Sequence, residues 1–467
     1  MTTAARRPRV DPVADGGVAD RSGRLGPSHH RTRPRPVRAH LPFSSRSDRT
    51  KLIMKSDSPR VAPLQIAVVC DYALDYLGGA QTALLQEAAA VVAAGGRVVV
   101  LSPSSQQVWQ QVCPDDRIDH VTMPARWTLP GLQLPVLRNT EGLRRQLQTI
   151  LVERSIDIVH LQSEFGLSAA AAMAARRLGL PVVHTVHTFF WQAPRRGQFL
   201  IAGLVRRFHR RVTGLVPTSV RLADPRADSA LRNMTLTVAR QADLVISPSA
   251  HQAERLRTAG LEQVTVLANT VSTLPEAAPL TDVVAPLKII WIGRCVPEKR
   301  ILTFVNAAVR AAERLDPGQI QFTVAGDGSQ LAEAREIAAG HRQIRFLGRQ
   351  DHDRIGALLA DAHLLALTSR GFDNQPMTIV EAVMAMRGVV YCDPALTEGL
   401  AGPGISSPAS DDALSDTFVD LVRHPEQVIK ASQAAAEERE QFSPGCHAAT
   451  LLKLYRGLIR SGGRGIR

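Results

Sequence analysis

Short apolar runs of three to six residues alternate with helix-length segments along nearly the whole of this chain, and that rhythm restricts the folds open to it. The runs lie at 65–70, 97–101, 118–121, 156–161, 181–186, 244–247 and 264–267, then at 288–292, 321–325, 344–347, 363–367 and 389–391. Strands alternating with helices throughout predict a parallel, doubly wound sheet, and the most apolar runs, such as 363–367 and 389–391, predict buried strands. Helices are expected at 80–94, with an apolar face of Leu84, Leu85, Ala88 and Val91, and at 136–153. Another follows 162–166 as far as 178, and others are expected at 195–211, 229–241, 377–386, 411–422, 426–439 and 448–459. A chain of 467 residues that is 45% hydrophobic can bury two cores. The expected fold class is α/β, with two doubly wound domains at 61–272 and 287–440, a proline- and alanine-rich linker at 273–286, and a C-terminal helical segment at 441–467 whose last residues fray.

The net charge of +13 suggests nucleic acid until it is located. Residues 1–60 hold fourteen Lys/Arg against five Asp, which leaves only +4 for the rest. That segment is rich in Pro, Arg, Ser and Gly, has no apolar period and lacks a signal-peptide core, so it is expected to be a disordered basic tail. Met54, just before the first strand, offers an alternative start. The five cysteines (Cys70, Cys113, Cys295, Cys392, Cys446) are scattered, supporting neither a disulfide framework nor a zinc site and fitting a reducing cytoplasm. No apolar span reaches membrane length.

The most informative stretch is 362–394: strand, polar loop, helix, strand. Its loop falls at the carboxyl end of a strand, where open α/β sheets bind ligands. Pro376 suits the first turn of the helix, and the amides that open it, around Met377 and Thr378, suit a phosphate. Asp373 and Glu381 stand with seven residues between them, one on the loop and one in the helix, where a carboxylate can accept ribose hydroxyls. On spacing alone these two are as readily a loop charge and a solvated helix residue. Elsewhere, Gly78-Gly79 opens the first βα turn, where glycine lets a phosphate approach the backbone. Arg294 and Lys299 straddle a later turn and could clamp a diphosphate, or be ordinary surface charges. His187 ends a strand beside Phe189, Phe190 and Trp191, where an imidazole is either structural or a sugar contact.

Several of these segments, taken together, resemble one family. SRGFDNQPMTIVEA is similar to the E-x7-E segment of retaining GT-B glycosyltransferases, with Asp373 where the family has its first glutamate. IGRCVPEKR resembles the GR-x-x-x-x-K donor-pyrophosphate motif, and Gly78-Gly79 resembles the GG loop that faces the same pyrophosphate. VHLQSEFGLSAAAAMAARRLGLPVVHTVHTFFW resembles the bacterial diacylglycerol-glucosyltransferase branch, in which a glutamate-bearing loop and a T-x-H-T segment line the cleft; here these bring in Glu164 and His187. The resemblance spans roughly 65–460 and places the chain among GT4-like enzymes.

It implies a GT-B fold, two Rossmann-like domains facing a cleft, with the acceptor on the first and a nucleotide-diphosphate sugar on the second, and a last helix that returns to the first. Carried over residue by residue, it puts His187, Asp373, Arg294 and Lys299 at the reaction. It adds Gly78, Gly79, Glu164, Asp327, Gly328, Arg349, Asn374, Gln375, Pro376, Met377, Thr378 and Glu381 as substrate contacts. It further implies retention at the anomeric carbon, no metal and no cofactor, and a cell-envelope acceptor, a lipid or a glycan. The non-catalytic or soluble-acceptor relative stays open as an alternative.

Residues 198–212 add a membrane expectation. Leu200, Ile201, Leu204, Val205, Phe208 and Val212 fall on one side of a helix, and Arg206, Arg207 and Arg210 largely opposite. This pattern fits an anionic membrane surface or simple packing on the first domain. The expected location is cytoplasmic, peripheral on the inner face of the plasma membrane. A dinucleotide oxidoreductase is excluded, because the first turn, Leu77-Gly78-Gly79-Ala80, lacks G-x-G-x-x-G. Specific nucleic-acid binding rests on the tail alone.

Overall fold

The computed structural model describes residues 63–462 apart from 75–77, 114, 126, 130–133 and 272–276. The basic tail at 1–60, the last residues at 463–467 and part of the expected linker therefore lie outside the described residues. The strands are β1 Gln65–Val69, β2 Arg97–Ser102, β3 Ile118–Thr122, β4 Thr128–Leu129, β5 Leu134–Pro135, β6 Ile158–Leu161, β7 Val182–Thr185, β8 Leu244–Ser247, β9 Val264–Val266, β10 Leu287–Ile292, β11 Ile320–Ala325, β12 Ile344–Gly348, β13 Leu364–Leu367, β14 Gly388–Tyr391 and β15 Gly404–Ser406.

They build two all-parallel sheets, ordered β3-β2-β1-β6-β7-β8-β9 and β12-β11-β10-β13-β14-β15, with β4 and β5 as a small antiparallel pair. Each sheet starts in its middle and winds outward in both directions, which is the doubly wound α/β arrangement. The apolar runs behave as expected: β1, β6, β8 and β13 are buried almost end to end.

Two local expectations are corrected. The helix expected from 136 runs Glu141–Glu153, capped by the Thr140 hydroxyl, which accepts from the Leu143 N–H at 3.2 Å. The preceding residues stay extended because Val136 and Leu137 are buried and Asn139 is tied to the Val212 and Thr213 carbonyls at the end of the helix Gln198–Thr213. The helix expected over 377–386 spans Met377–Met384. The chain reverses at Met386 (φ 55°), and the buried Arg387 guanidinium donates to the carbonyls of Ala360, Ala362 and Ala278 at 2.7–2.8 Å. Gly388 begins β14, where a Cβ would come within 2.6 Å of Ala431 Cβ. Ser249 stands at the N-cap of Ala250–Thr258, but its hydroxyl donates to Asn374 Oδ1 instead of capping.

The last helix, Pro444–Gly462, crosses back to the first sheet. Leu451, Leu452 and Tyr455 join the same apolar cluster as Ile66, Val68, Leu84 and Val91, against the helix Gly79–Ala93. The two sheets are also joined directly. Asn374 Nδ2 donates to the Val186 carbonyl at 3.1 Å, Asn269 N–H donates to Gln375 Oε1 at 2.7 Å, and Ala250 N–H donates to Glu398 Oε1 at 2.7 Å.

Candidate active site

In a doubly wound sheet the loops diverge at the carboxyl edge where the strand order reverses, leaving a crevice. Here those points are β1/β6 in the first sheet and β10/β13 in the second. The loops that follow these strands, around 70–78, 162–166, 293–300 and 368–376, carry most of the chemistry-bearing residues. A cleft of about 1200 Å³ lies between the two sheets, lined by Tyr72, Gly78, Gly79, His187, Trp191, Arg294, Lys299 and the segment from Phe372 to Met377, among others.

On the second-sheet side the two loops are sewn together. The Thr368 hydroxyl donates to the carbonyls of Lys299 and Arg300 at 2.9 and 3.1 Å and accepts from the Trp291 indole at 3.0 Å. That fixes Lys299 opposite Asp373: its ammonium lies 2.5 Å from Asp373 Oδ1, and Ser369 donates its hydroxyl to Oδ2. Both carboxylate oxygens are thus engaged, and Lys299 also lies over the Phe372 ring. Arg294 is exposed on the cleft wall with no carboxylate among the described residues paired to its guanidinium. Gln375 spends its Oε1 on Asn269, and its buried Nε2 has no hydrogen-bond partner among the described residues, so it is a donor available at the cleft. Glu381, one turn into the helix, is buried, and burial pushes its carboxyl up to about 7.

The first-sheet side is built on Asp71, at the end of β1. Its carboxylate accepts from the backbone N–H groups of Phe165, Leu167 and Ser168 and from the hydroxyls of Ser163 and Ser168, at 2.7–3.2 Å. An acid at the N-terminus of the helix Gly166–Arg177 satisfies amides that the helix leaves unpaired and complements its dipole. The Asp71 staple carries Glu164 with it, and the Tyr72 hydroxyl donates to Glu164 Oε1 at 3.0 Å. Burial, with the nearby Asp71 charge, raises the Glu164 carboxyl to about 8. His187, after β7, reaches the cleft wall; burial lowers its imidazole to about 4, so the ring is neutral near pH 7.

The residues named from sequence divide by position. His187, Asp373, Arg294, Lys299, Gly78, Gly79, Asn374, Gln375, Pro376 and Met377 line the cleft. Glu164, Thr378, Glu381, Asp327, Gly328 and Arg349 are not on its wall. Glu164 and Glu381 are buried behind it. Asp327 and Gly328 form a turn whose backbone bonds the 293–296 turn, and a Cβ at Gly328 would stand 2.5 Å from the Cys295 carbonyl oxygen. Asn374 lines the cleft, but its side chain bonds Ser249 and Val186 of the first sheet, so its amide joins the two halves. Asp71, Tyr72, Gln162, Thr368 and Ser369 were missed. An acid directly after the first buried strand was the available signal for Asp71. The others announce themselves only through tertiary contacts. Among the described residues no group of three or more His, Cys, Asp or Glu side chains is arranged to hold a metal ion, and no helix is long and apolar enough to cross a membrane.

Residues 77–273 match the family model Glycosyltransferase Family 4, and residues 286–424 match Glycosyl transferases group 1. The phosphatidyl-myo-inositol mannosyltransferase of Mycobacterium leprae is 25% identical over 416 residues, covering 86% of this chain and 99% of its own. A GDP-mannose-dependent alpha-mannosyltransferase of Corynebacterium glutamicum is 23% identical over 292 residues, covering 59% of this chain and 60% of its own. Among solved structures, Anabaena Alr3699/HepE in complex with UDP-glucose superposes with a TM-score of 0.59 at 18% identity, covering 85% of this chain and all of its own. S. aureus TarM superposes with a TM-score of 0.61 at 12% identity, covering 84% and 99%. The chain is a GT4-like glycosyltransferase, a hexosyltransferase of the two-domain GT-B fold.

Proposed function

We propose that the cleft transfers a hexose, with retention of anomeric configuration, from a nucleotide-diphosphate sugar to a lipid-linked acceptor at an anionic membrane surface. The observation that carries this reading is the meeting of Arg294, Lys299 and the first amides of the helix Met377–Met384 in one cleft, with Asp373 beside them. Fixed cations and amides aimed at a leaving diphosphate stabilise the charge that develops as the glycosidic bond breaks, at no cost of reorganisation during the step. The counter-charge comes from the protein itself, so this reading calls on no metal or cofactor. Asp373 and the free Gln375 amide face the sugar, and the Glu381 carboxyl accepts ribose hydroxyls from behind the helix start.

The lipid acceptor is supported by the phosphatidyl-myo-inositol mannosyltransferases among the relatives and by the helix Gln198–Thr213. That helix packs through Ala202, His209 and Val212. Contrary to the pattern expected for a single apolar face, Phe199, Leu200 and Leu204 stay 76, 67 and 58% exposed, followed by the exposed Arg206, Arg207, Arg210 and Arg211. Apolar side chains ahead of a basic turn suit the headgroup region of an anionic bilayer.

The test incubates the protein with GDP-mannose, UDP-glucose or UDP-N-acetylglucosamine and vesicles containing phosphatidylinositol, and seeks a new glycolipid by mass spectrometry. A product that Lys299→Ala abolishes is expected. Transfer only to water-soluble glycans would replace the lipid acceptor with a soluble one, and no sugar transfer from any donor would overturn the reading.

A further inference from the structure

Behind His187 lies a buried polar chain that ends on the C-terminal helix. Gln162, just past β6, is 2% exposed, and Glu87, on the helix Gly79–Ala93, is 7% exposed. Gln162 Nε2 donates to Glu87 Oε1 at 2.7 Å, while Gln162 Oε1 meets His187 Nε2. Glu87 Oε2 meets His447 Nε2 at 3.1 Å, and the other nitrogen of that ring, Nδ1, lies 2.9 Å from the Ala268 carbonyl oxygen. His160 closes the group: its Nδ1 lies 3.2 Å from Glu87 Oε1 and 2.6 Å from the Tyr455 hydroxyl, and its Nε2 lies 2.7 Å from the Thr185 hydroxyl.

Proton counting fixes the direction of every bond that matters. A carboxylate only accepts, so the atom of Gln162 that faces Glu87 is its NH2, and the atom that faces His187 is its carbonyl oxygen. A carbonyl oxygen also only accepts, so His187 must carry its proton on Nε2. Burial keeps the ring neutral, and the neutral ring then has its lone pair on Nδ1. The Glu87 carboxyl is held below the usual carboxylate range because the attraction of His160 and His447 outweighs its burial, so it is a lasting acceptor for Gln162.

We infer that Gln162 and Glu87, with His447 of the last helix behind them, are positioning residues that lock His187 in its Nε2–H form and present Nδ1 to the cleft as an acceptor for a substrate hydroxyl. The inference rests on the glycosyl-transfer reading only for what that hydroxyl belongs to. It also gives the return of the last helix a role at the site, because His447 and Tyr455 reach the chain from residues far outside the first sheet.

The test has a readout apart from activity. In ligand-free protein carrying 15N-histidine, two-bond 1H–15N spectra should show His187 as a single Nε2–H tautomer. Gln162→Leu should turn that signal into a tautomer mixture. It should also lower turnover about three- to tenfold, the effect of one hydrogen bond, with donor KM little changed. The same change placed on His187→Ala should add nothing. Glu87→Gln keeps the bond that matters for His187, because an amide oxygen in the place of Oε1 still accepts from Gln162 Nε2, so it should retain the tautomer. An Nδ1–H signal in the wild-type protein would overturn the inference whatever the variants do. Equal losses from Gln162→Leu with and without His187 would overturn it as well. If no donor supports transfer, the activity arms fail together while the tautomer spectra still decide the positioning claim.

Discussion

Replacing Lys299 with alanine alters the diphosphate pocket twice over. It removes a cation, and it uncovers Asp373, whose carboxylate the ammonium holds at 2.5 Å with the two side chains only 19 and 9% exposed. A phosphate oxygen bonded to the far side of that ammonium would lie roughly 5 Å from the carboxylate, where like unit charges repel by about 3 kcal/mol at an effective dielectric of 20. Water in the open cleft cuts this to about 1.5 kcal/mol. Together with the lost attraction, Lys299→Ala should weaken binding of the nucleoside diphosphate by about 3 kcal/mol, on the order of a hundredfold. Adding Asp373→Asn should then recover about tenfold, since the uncovered charge is gone. Calorimetric titration of UDP and GDP into the four proteins of this cycle, at one ionic strength, reads the coupling directly. Changes that simply add, or a Lys299→Ala protein that binds like wild type, would refute the reasoning.

Three further outcomes follow from the same geometry. Asp71→Ala strands five donors at the start of the helix Gly166–Arg177 and should cost at least about 3 kcal/mol of unfolding free energy in urea; a loss under 1 kcal/mol would contradict the staple. Burial pushes the Glu381 carboxyl from its ordinary 4.5 up to about 7 in the folded protein, so the folded state binds more protons between those values. Its contribution is present below pH 4 and lost as pH rises through 7. Relative to Glu381→Gln, the wild type should therefore lose on the order of 3 kcal/mol between pH 4.5 and 8, a difference that flat, parallel curves would exclude. Lastly, residues 61–467 should co-sediment with anionic vesicles at low salt and be released by salt, with Arg206→Glu/Arg210→Glu weakening the contact. Failure to sediment at low salt removes the physical support for a membrane-bound acceptor.

Much of the fold was legible because burial writes itself into sequence: runs such as 65–69 and 364–367 have no polar face, and only a parallel sheet covered on both sides accepts them. Parts of the site were legible for a related reason. Arg294, Lys299 and Asp373 sit on loops that follow strands, and their order along the chain carried the family resemblance. What stayed hidden depends on contacts between distant segments. Nothing near Gln162 in sequence shows that it joins Glu87 to His187, or that His447, 360 residues from Glu87, closes the same network. Asn374 reads like a ligand contact from its motif, and nothing in the sequence shows that its amide also bonds Ser249 and Val186 of the opposite half. The helix Gln198–Thr213 shows the converse: its periodicity marked an apolar face but could not show that Leu200 and Leu204 would be left facing out.

The central claim, that this cleft holds the diphosphate of a sugar donor, is tested most directly by a crystal structure of the protein with a bound nucleoside diphosphate. The account predicts phosphate oxygens within hydrogen-bond distance of the Arg294 guanidinium, the Lys299 ammonium and the amides that open the helix Met377–Met384, with ribose hydroxyls on Glu381. A diphosphate seated elsewhere, with Arg294 and Lys299 untouched, would contradict it.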